Sequence, residues 1–104
     1  MSNTTVTIFD TTFSNCLMNA SGCMCAEHTD LLKLNKSASG AIISKTCSLE
    51  KRDGNSHPRY YEDSKNKITL NSMGLPNNGY NYYTNLIGTF DKPYIMSVAG
   101  NYLL

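Results

Sequence analysis

Apolar positions gather into three short unbroken runs, each closing on small or polar residues. They are Leu17-Met18-Asn19-Ala20-Ser21-Gly22, Ala41-Ile42-Ile43-Ser44-Lys45-Thr46 and Tyr94-Ile95-Met96-Ser97-Val98-Ala99-Gly100. Runs of this length, without strict alternation and bounded by turn residues, predict strands buried on both faces, as in a parallel sheet. The first and third share an order of apolar, Met, polar, two small residues and Gly, a weak internal echo. Between the first two, residues 26–39 set Leu31, Leu34 and Ala38 on one helical face, with Leu32 beside them. Gly40 follows where a helix-terminating glycine belongs. Strand, helix and strand with short joints make a βαβ unit of right-handed crossover. A far longer connection, Ser48 to Lys92, separates the second run from the third. It begins polar and turns helical only near Tyr80 to Phe90, where Tyr82, Tyr83, Leu86, Ile87 and Phe90 offer an apolar face. Connections of that length inside a small domain usually serve function. Upstream, Thr4 to Ser14 alternates loosely through Val6, Ile8 and Phe13, and predicts a hairpin turning at Asp10-Thr11-Thr12. The order hairpin, β, α, β, long loop, α, β is that of an α/β barrel or doubly wound sheet, begun but not finished.

Composition narrows the function classes. The chain has 104 residues, and 9 Lys+Arg against 8 Asp+Glu give a net charge of +1. Charged residues are 16 % of the total, below the usual quarter, and Asn, Ser and Thr fill the gap. That balance suits a packed core and not a disordered tail. No run approaches the roughly 18–20 apolar residues of a membrane helix, and no Lys/Arg cluster marks a nucleic-acid surface. Met1 to Asp10 has neither a basic start nor an apolar stretch, so no secretory signal is expected and a cytoplasmic location is. Cys16, Cys23, Cys25 and Cys47 are then expected as reduced thiols, mostly small buried hydrophobes. Cys23, Cys25 and His28 lack the paired, loop-separated ligand sets of structural zinc sites, and no metal is expected.

In α/β folds ligands sit at the carboxyl ends of parallel strands. Here those ends are Ala20-Ser21-Gly22, Lys45-Thr46 and Ala99-Gly100. Small residues there let a planar or phosphorylated ligand meet backbone N–H groups, and they equally serve as plain strand terminators. Lys45 ends an apolar run where burial alone gives no reason for a lysine, although its stem also permits a solvated head. Asn71-Ser72-Met73-Gly74-Leu75-Pro76-Asn77 offers amide and backbone hydrogen bonds to a small planar ligand, and reads as well as a turn with helix entry. Arg52, His57 and Arg59 suit either a substrate carboxylate or solvated surface. Neither histidine has a nucleophile or carboxylate at triad spacing.

Taken together, Met18 to Gly22, Ile43 to Thr46, Arg52-Asp53-Gly54-Asn55 with Pro58-Arg59-Tyr60, Leu70 to Asn77, Tyr82-Tyr83 and Ser97 to Gly100 resemble the dihydroorotate dehydrogenases. The similarity runs from about Thr12 to Gly100, and is to the soluble, cytosolic class that passes electrons to fumarate. The Asn-Ser-Met-Gly-Leu-Pro-Asn stretch is its most class-specific part. The resemblance implies a flavoenzyme binding FMN and oxidising dihydroorotate to orotate in pyrimidine synthesis. Ala20, Ser21 and Gly22 would line the flavin. Lys45 would lie beside flavin and substrate, its charge stabilising the reduced flavin, and Thr46 would add a flavin contact. Asn71, Met73, Gly74 and Leu75 would hold the substrate. Arg52, Pro58 and Arg59 would belong to a mobile active-site loop. The class also implies a homodimer.

The chain departs from the family at Asn15-Cys16-Leu17, at Gly22-Cys23-Met24-Cys25 and in Glu62 to Thr69, which is longer and more charged than usual. Length is the larger departure, since the fold it resembles is a (β/α)₈ barrel of roughly 250 residues. Residues 1–104 are therefore expected to be the N-terminal portion of such a barrel domain, about three βα units behind a leading hairpin. No catalytic residue is expected on this stretch, because the family's base cysteine lies in an Asn-Leu-Ser-Cys-Pro-Asn motif with no match here. Alone, the piece is expected to be inactive. The alternatives are a small non-catalytic α/β binding module, a degenerate remnant, and a protein that pairs with a complementary fragment.

Overall fold

The computed structural model describes residues 3–100. It opens with an antiparallel hairpin, β1 (Val6–Ile8) and β2 (Thr11–Phe13). Phe9 and Asp10 link the strands at φ 47° and 62°, the two-residue turn whose twist matches its strands. The turn comes earlier than the expected Asp10-Thr11-Thr12, because Thr11 and Thr12 already pair with Ile8 and Thr7. The remaining elements are a 3₁₀ turn at Cys23–Cys25, α1 (His28–Lys36), β3 (Ile42–Ile43), β4 (Tyr60–Asp63), β5 (Ile68–Asn71), α2 (Tyr80–Thr84) and β6 (Tyr94–Ile95).

The three apolar runs lie side by side and parallel. Met18 bridges Ala41, β3 pairs with β6, and the pairing resumes where Cys47 meets Val98. The first run, however, is not a strand buried on two faces: Leu17 and Met18 are exposed. Asn19 supplies what the ladder lacks. Its side-chain amide donates to the Ile43 carbonyl and accepts the Ile43 N–H, both at 2.8 Å. A primary amide carries the same donor and acceptor as a peptide group, so the run is held without strand geometry. The middle run is buried on both faces as expected, with Ala41, Ile42, Ser44 and Cys47 inside, but the last run is not, since Ile95 and Val98 are exposed.

On one face, α1 lays Leu31 against Ile42 and Cys25, with Leu34, Leu86, Phe90 and Tyr94 packed around them. The helix stops at Lys36, short of the expected Ser39. Both the N–H and the hydroxyl of Ser37, and the Lys92 ammonium, donate to the Leu34 carbonyl. Ala38 lies beyond the helix and is exposed. Gly40 does not close the helix. It donates its N–H to Leu17 O at 2.8 Å, and a Cβ there would lie 2.1 Å from Asn15 O. A crossing of two backbone segments requires this glycine.

The long connection contains a second antiparallel hairpin, β4 with β5, in register from Tyr60 opposite Asn71 to Asp63 opposite Ile68. Sequence reading treats this stretch as loop. The Asp63 carboxylate closes the turn by accepting from the Asn66 side chain and from the N–H groups of Asn66 and Lys65. Those donors, the Asn66 amide first, hold the carboxyl below its usual value. Helix α2 is a little over one turn long and not the expected span to Phe90. Regular winding ends at Asn85, and Gly88 takes φ 81°. Its buried Tyr83 donates to Ala26 O at 2.9 Å, and Tyr82 Oη accepts the His28 N–H. Burial pushes the Tyr83 hydroxyl up to about 12. The radius of gyration is 16.3 Å, against about 13 Å for a compact domain of a hundred residues. The excess fits two hairpins whose strands are exposed along almost their whole length. Among the described residues no helix is long and apolar enough to cross a membrane.

Candidate functional site

At the carboxyl ends of the parallel runs, three hydroxyls line up across the sheet. Ser21 Oγ lies 2.8 Å from Thr46 Oγ1, which lies 2.7 Å from Ser97 Oγ. Ser21 also donates to Ser44 O at 2.8 Å, and the buried Ser44 hydroxyl accepts the Ser97 N–H. Around this row the backbone is open, since a Cβ built on Gly22 or on Gly100 meets nothing within 4 Å. Ala20 and Ser21 are exposed beside it.

Lys45 follows Ser44 on the middle run. Its N–H donates to Cys25 O at 2.9 Å, which fixes the backbone. The half-buried side chain is left to line two adjoining clefts. The larger, about 410 Å³, is walled by Lys45, Asn71, Met73, Gly74 and Leu75 together with Tyr60. The smaller, about 260 Å³, joins Lys45 and Met73 to Arg52, Asn77, Asn78 and Glu27. Lys45 forms no ion pair among the described residues.

The wall opposite Lys45 is two loops stitched together. Asn55 donates its N–H to Met73 O and its side-chain amide to Ser72 O, and Arg52 and Asn77 exchange backbone hydrogen bonds. Gly54 and Gly74 permit this approach: both have positive φ, and a Cβ would lie 2.3 Å from Met73 O or 2.6 Å from the Asn55 side chain. Leu75 also takes φ 56°, a conformation costing on the order of 1–3 kcal/mol in a non-glycine residue. Arg52 Nε donates to Gly74 O at 3.2 Å, and Asn77 Nδ2 donates to Leu75 O at 2.9 Å. The N–H groups of Gly74 and Leu75 have no partner among the described residues.

The structure thus brings together Lys45, Asn71, Met73, Gly74 and Leu75, and sets Arg52 on the adjoining cleft. Ala20, Ser21, Gly22 and Thr46 lie at the carboxyl ends of the first and middle runs and line neither cleft. Pro58 and Arg59 line a neighbouring pocket that shares Tyr60 and Met73 with the Lys45 cleft. Arg59 acts there as a loop staple, its Nη1 donating to Asp53 O at 2.7 Å and Asn55 O at 3.2 Å. Cys25 and Cys47 are buried as expected of small hydrophobes, and burial pushes the Cys47 thiol up; Cys16 and Cys23 are exposed. The sequence placed neither Cys23, weighed there only as a metal ligand or plain thiol and found to line both clefts, nor Asn77, which is 5 % exposed, among the site residues. Asn77 stands inside a stretch already singled out, but nothing local distinguishes its buried amide from a turn asparagine.

A protein-family model described as dihydroorotate dehydrogenase matches residues 3–101. Among curated proteins, one from Streptococcus pyogenes serotype M5 named dihydroorotate dehydrogenase A (fumarate) is 40 % identical over 105 residues, covering 96 % of this chain and 33 % of that protein. Proteins of the same name from Streptococcus uberis and Streptococcus equi subsp. equi are 44 % and 39 % identical, covering 88 % and 96 % of this chain. The chain spans about a third of the length of these relatives.

Proposed function

Because this chain belongs to the dihydroorotate dehydrogenase family, we propose that it forms the first portion of a (β/α)₈ barrel that oxidises dihydroorotate to orotate, with FMN as cofactor and fumarate as electron acceptor. The observation that supports this best is the cleft facing Lys45. It combines an ammonium and two backbone N–H groups without partners among the described residues with the Asn71 amide, a donor-rich wall suited to a planar substrate with ring carbonyls and a carboxylate. The chain's own residues fit the flavin as well. Open backbone at Gly22 and the Ser21–Thr46–Ser97 row offer approach and hydrogen bonds. When bound, FMN supplies the two-electron acceptor for the oxidation. Ala20, Ser21, Gly22 and Thr46 would flank it, and Lys45 would lie beside both it and the substrate, where its charge can hold negative charge that develops there. Met73 and Pro76 would keep water from one wall of the cleft. The loop carrying Arg52, Pro58 and Arg59 would cover it. The group that takes the substrate proton is assigned to no residue of this chain. A cytoplasmic homodimer in pyrimidine synthesis completes the reading.

The test is the protein expressed at the full length of its reading frame. It is expected to bind FMN, to lose its yellow absorbance on adding dihydroorotate, and to regain it on adding fumarate. Lys45→Ala slows that bleaching on the order of a hundredfold. A colourless product that gains no flavin on FMN titration overturns the reading in favour of a non-catalytic remnant.

A further inference from the structure

We propose that Asn77 is a positioning residue for the substrate. It acts through Leu75, and the inference rests on the reading of the Lys45 cleft as the substrate site. Asn77 is 5 % exposed, and all its side-chain valences are used. Nδ2 donates to Leu75 O at 2.9 Å and to Ser48 Oγ at 3.0 Å, while Oδ1 accepts the N–H groups of Gly79 at 2.8 Å and Ser48 at 3.2 Å. One buried amide therefore joins the end of the second apolar run, the 71–77 loop and the start of α2. Plain structural glue would need no more than this.

The geometry at Leu75 points further. Gly74 and Leu75 are consecutive residues with positive φ, 79° and 56°, and in such a pair the direction of each N–H is set by the peptide planes on either side. Asn77 fixes the Leu75 carbonyl and Arg52 fixes that of Gly74, while the two N–H groups stay unpartnered on a cleft-lining segment. The Gly74 carbonyl and the Leu75 N–H belong to one peptide, so the Arg52 bond orients that N–H directly. The Asn77 bond then holds Leu75 itself in a conformation it would otherwise leave. Without it Leu75 relaxes to negative φ and the donor pair turns away from the cleft.

Asn77→Asp tests this with little change of shape. It keeps both acceptor bonds but sets a carboxylate oxygen against Leu75 O and against Ser48 Oγ, which can turn its own proton from Glu50 O to meet it. In the full-length protein, orotate affinity is expected to fall roughly tenfold at pH 8, the cost of one buried unsatisfied carbonyl. FMN affinity is expected to change little, while the melting temperature falls at pH 8 because the buried carboxylate and the unsatisfied carbonyl destabilise the fold. Near pH 5, protonation of the introduced carboxyl restores a donor to Leu75 O, and the orotate affinity recovers toward that of the parent protein. A purely structural role predicts orotate and FMN binding weakening together, without recovery in acid, and that result overturns the proposal. So does unchanged orotate affinity. If Asn77→Asp does not fold, Asn77→Ser keeps a shorter donor, and orotate binding must weaken relative to FMN binding or the proposal falls. A parent protein that binds neither FMN nor orotate sinks the functional reading itself, and Asn77 loses its role with it.

Discussion

A methyl group separates two glycines that look alike in the sequence. Gly22 has φ −172°, extended backbone open to any residue, and free space where a Cβ would go. At Gly40 a Cβ would lie 2.1 Å from Asn15 O, so two backbone segments must separate to admit it. Gly40→Ala is expected to destabilise by about 1–3 kcal/mol, as overpacking does, and Gly22→Ala to leave stability within about 0.5 kcal/mol. Urea denaturation of the two variants checks both. Local pattern marks either glycine as a terminator. Only the tertiary crossing at Asn15 tells them apart, and a crossing between residues 25 positions apart leaves no periodic trace.

Between elements, the junction of α1 with α2 depends on tyrosine hydroxyls. Tyr83 is fully buried and donates to Ala26 O; burial raises its hydroxyl to about 12 from the ordinary tyrosine value of 10.0. The folded state therefore holds this proton more tightly than the unfolded chain. The contribution is fully present below pH 10 and is lost as pH rises from 10 through 12. Tyr83→Phe is expected to cost about 1 kcal/mol at pH 7 and to flatten the alkaline decline between pH 10 and 12. Chemical denaturation across that range measures both. Elements were legible where one physical cause dominated. The Leu31 face of α1, the β1–β2 hairpin and the parallel middle and last runs follow from periodicity and turn chemistry. The β4–β5 hairpin escaped because Tyr60, Tyr61, Ile68 and Leu70 are all exposed, so no buried face writes an alternating pattern. The grouping of Lys45 with Asn71, Met73, Gly74 and Leu75 along one cleft was legible because all but Lys45 sit in one contiguous stretch. The stitching by Asn55 and Asn77 was not, since it depends on hydrogen bonds across 17 to 29 positions.

Across the whole molecule, the middle of the sheet is covered and its last edge is not. Ile95 and Val98 are exposed at 37 % and 62 % on a run with no neighbour on its far side among the described residues. An open parallel edge with apolar side chains is a template for further strands. The 104-residue chain expressed alone is expected to associate with rising concentration, and Val98→Lys to suppress that association several-fold. Sedimentation velocity over a concentration series reads this directly; identical profiles for the two chains would remove the edge as the cause. The hydroxyls of Ser21, Thr46 and Ser97, which cross all three runs to reach the last one, add a sense of direction. Each owns a single proton, and that of Ser21 is committed to Ser44 O. Thr46 must then donate to Ser21, and Ser97 to Thr46. The row is a one-way relay of dipoles, and its last oxygen, on Ser97, meets the outside with lone pairs alone. Whatever group settles against that oxygen has to arrive bearing a hydrogen of its own.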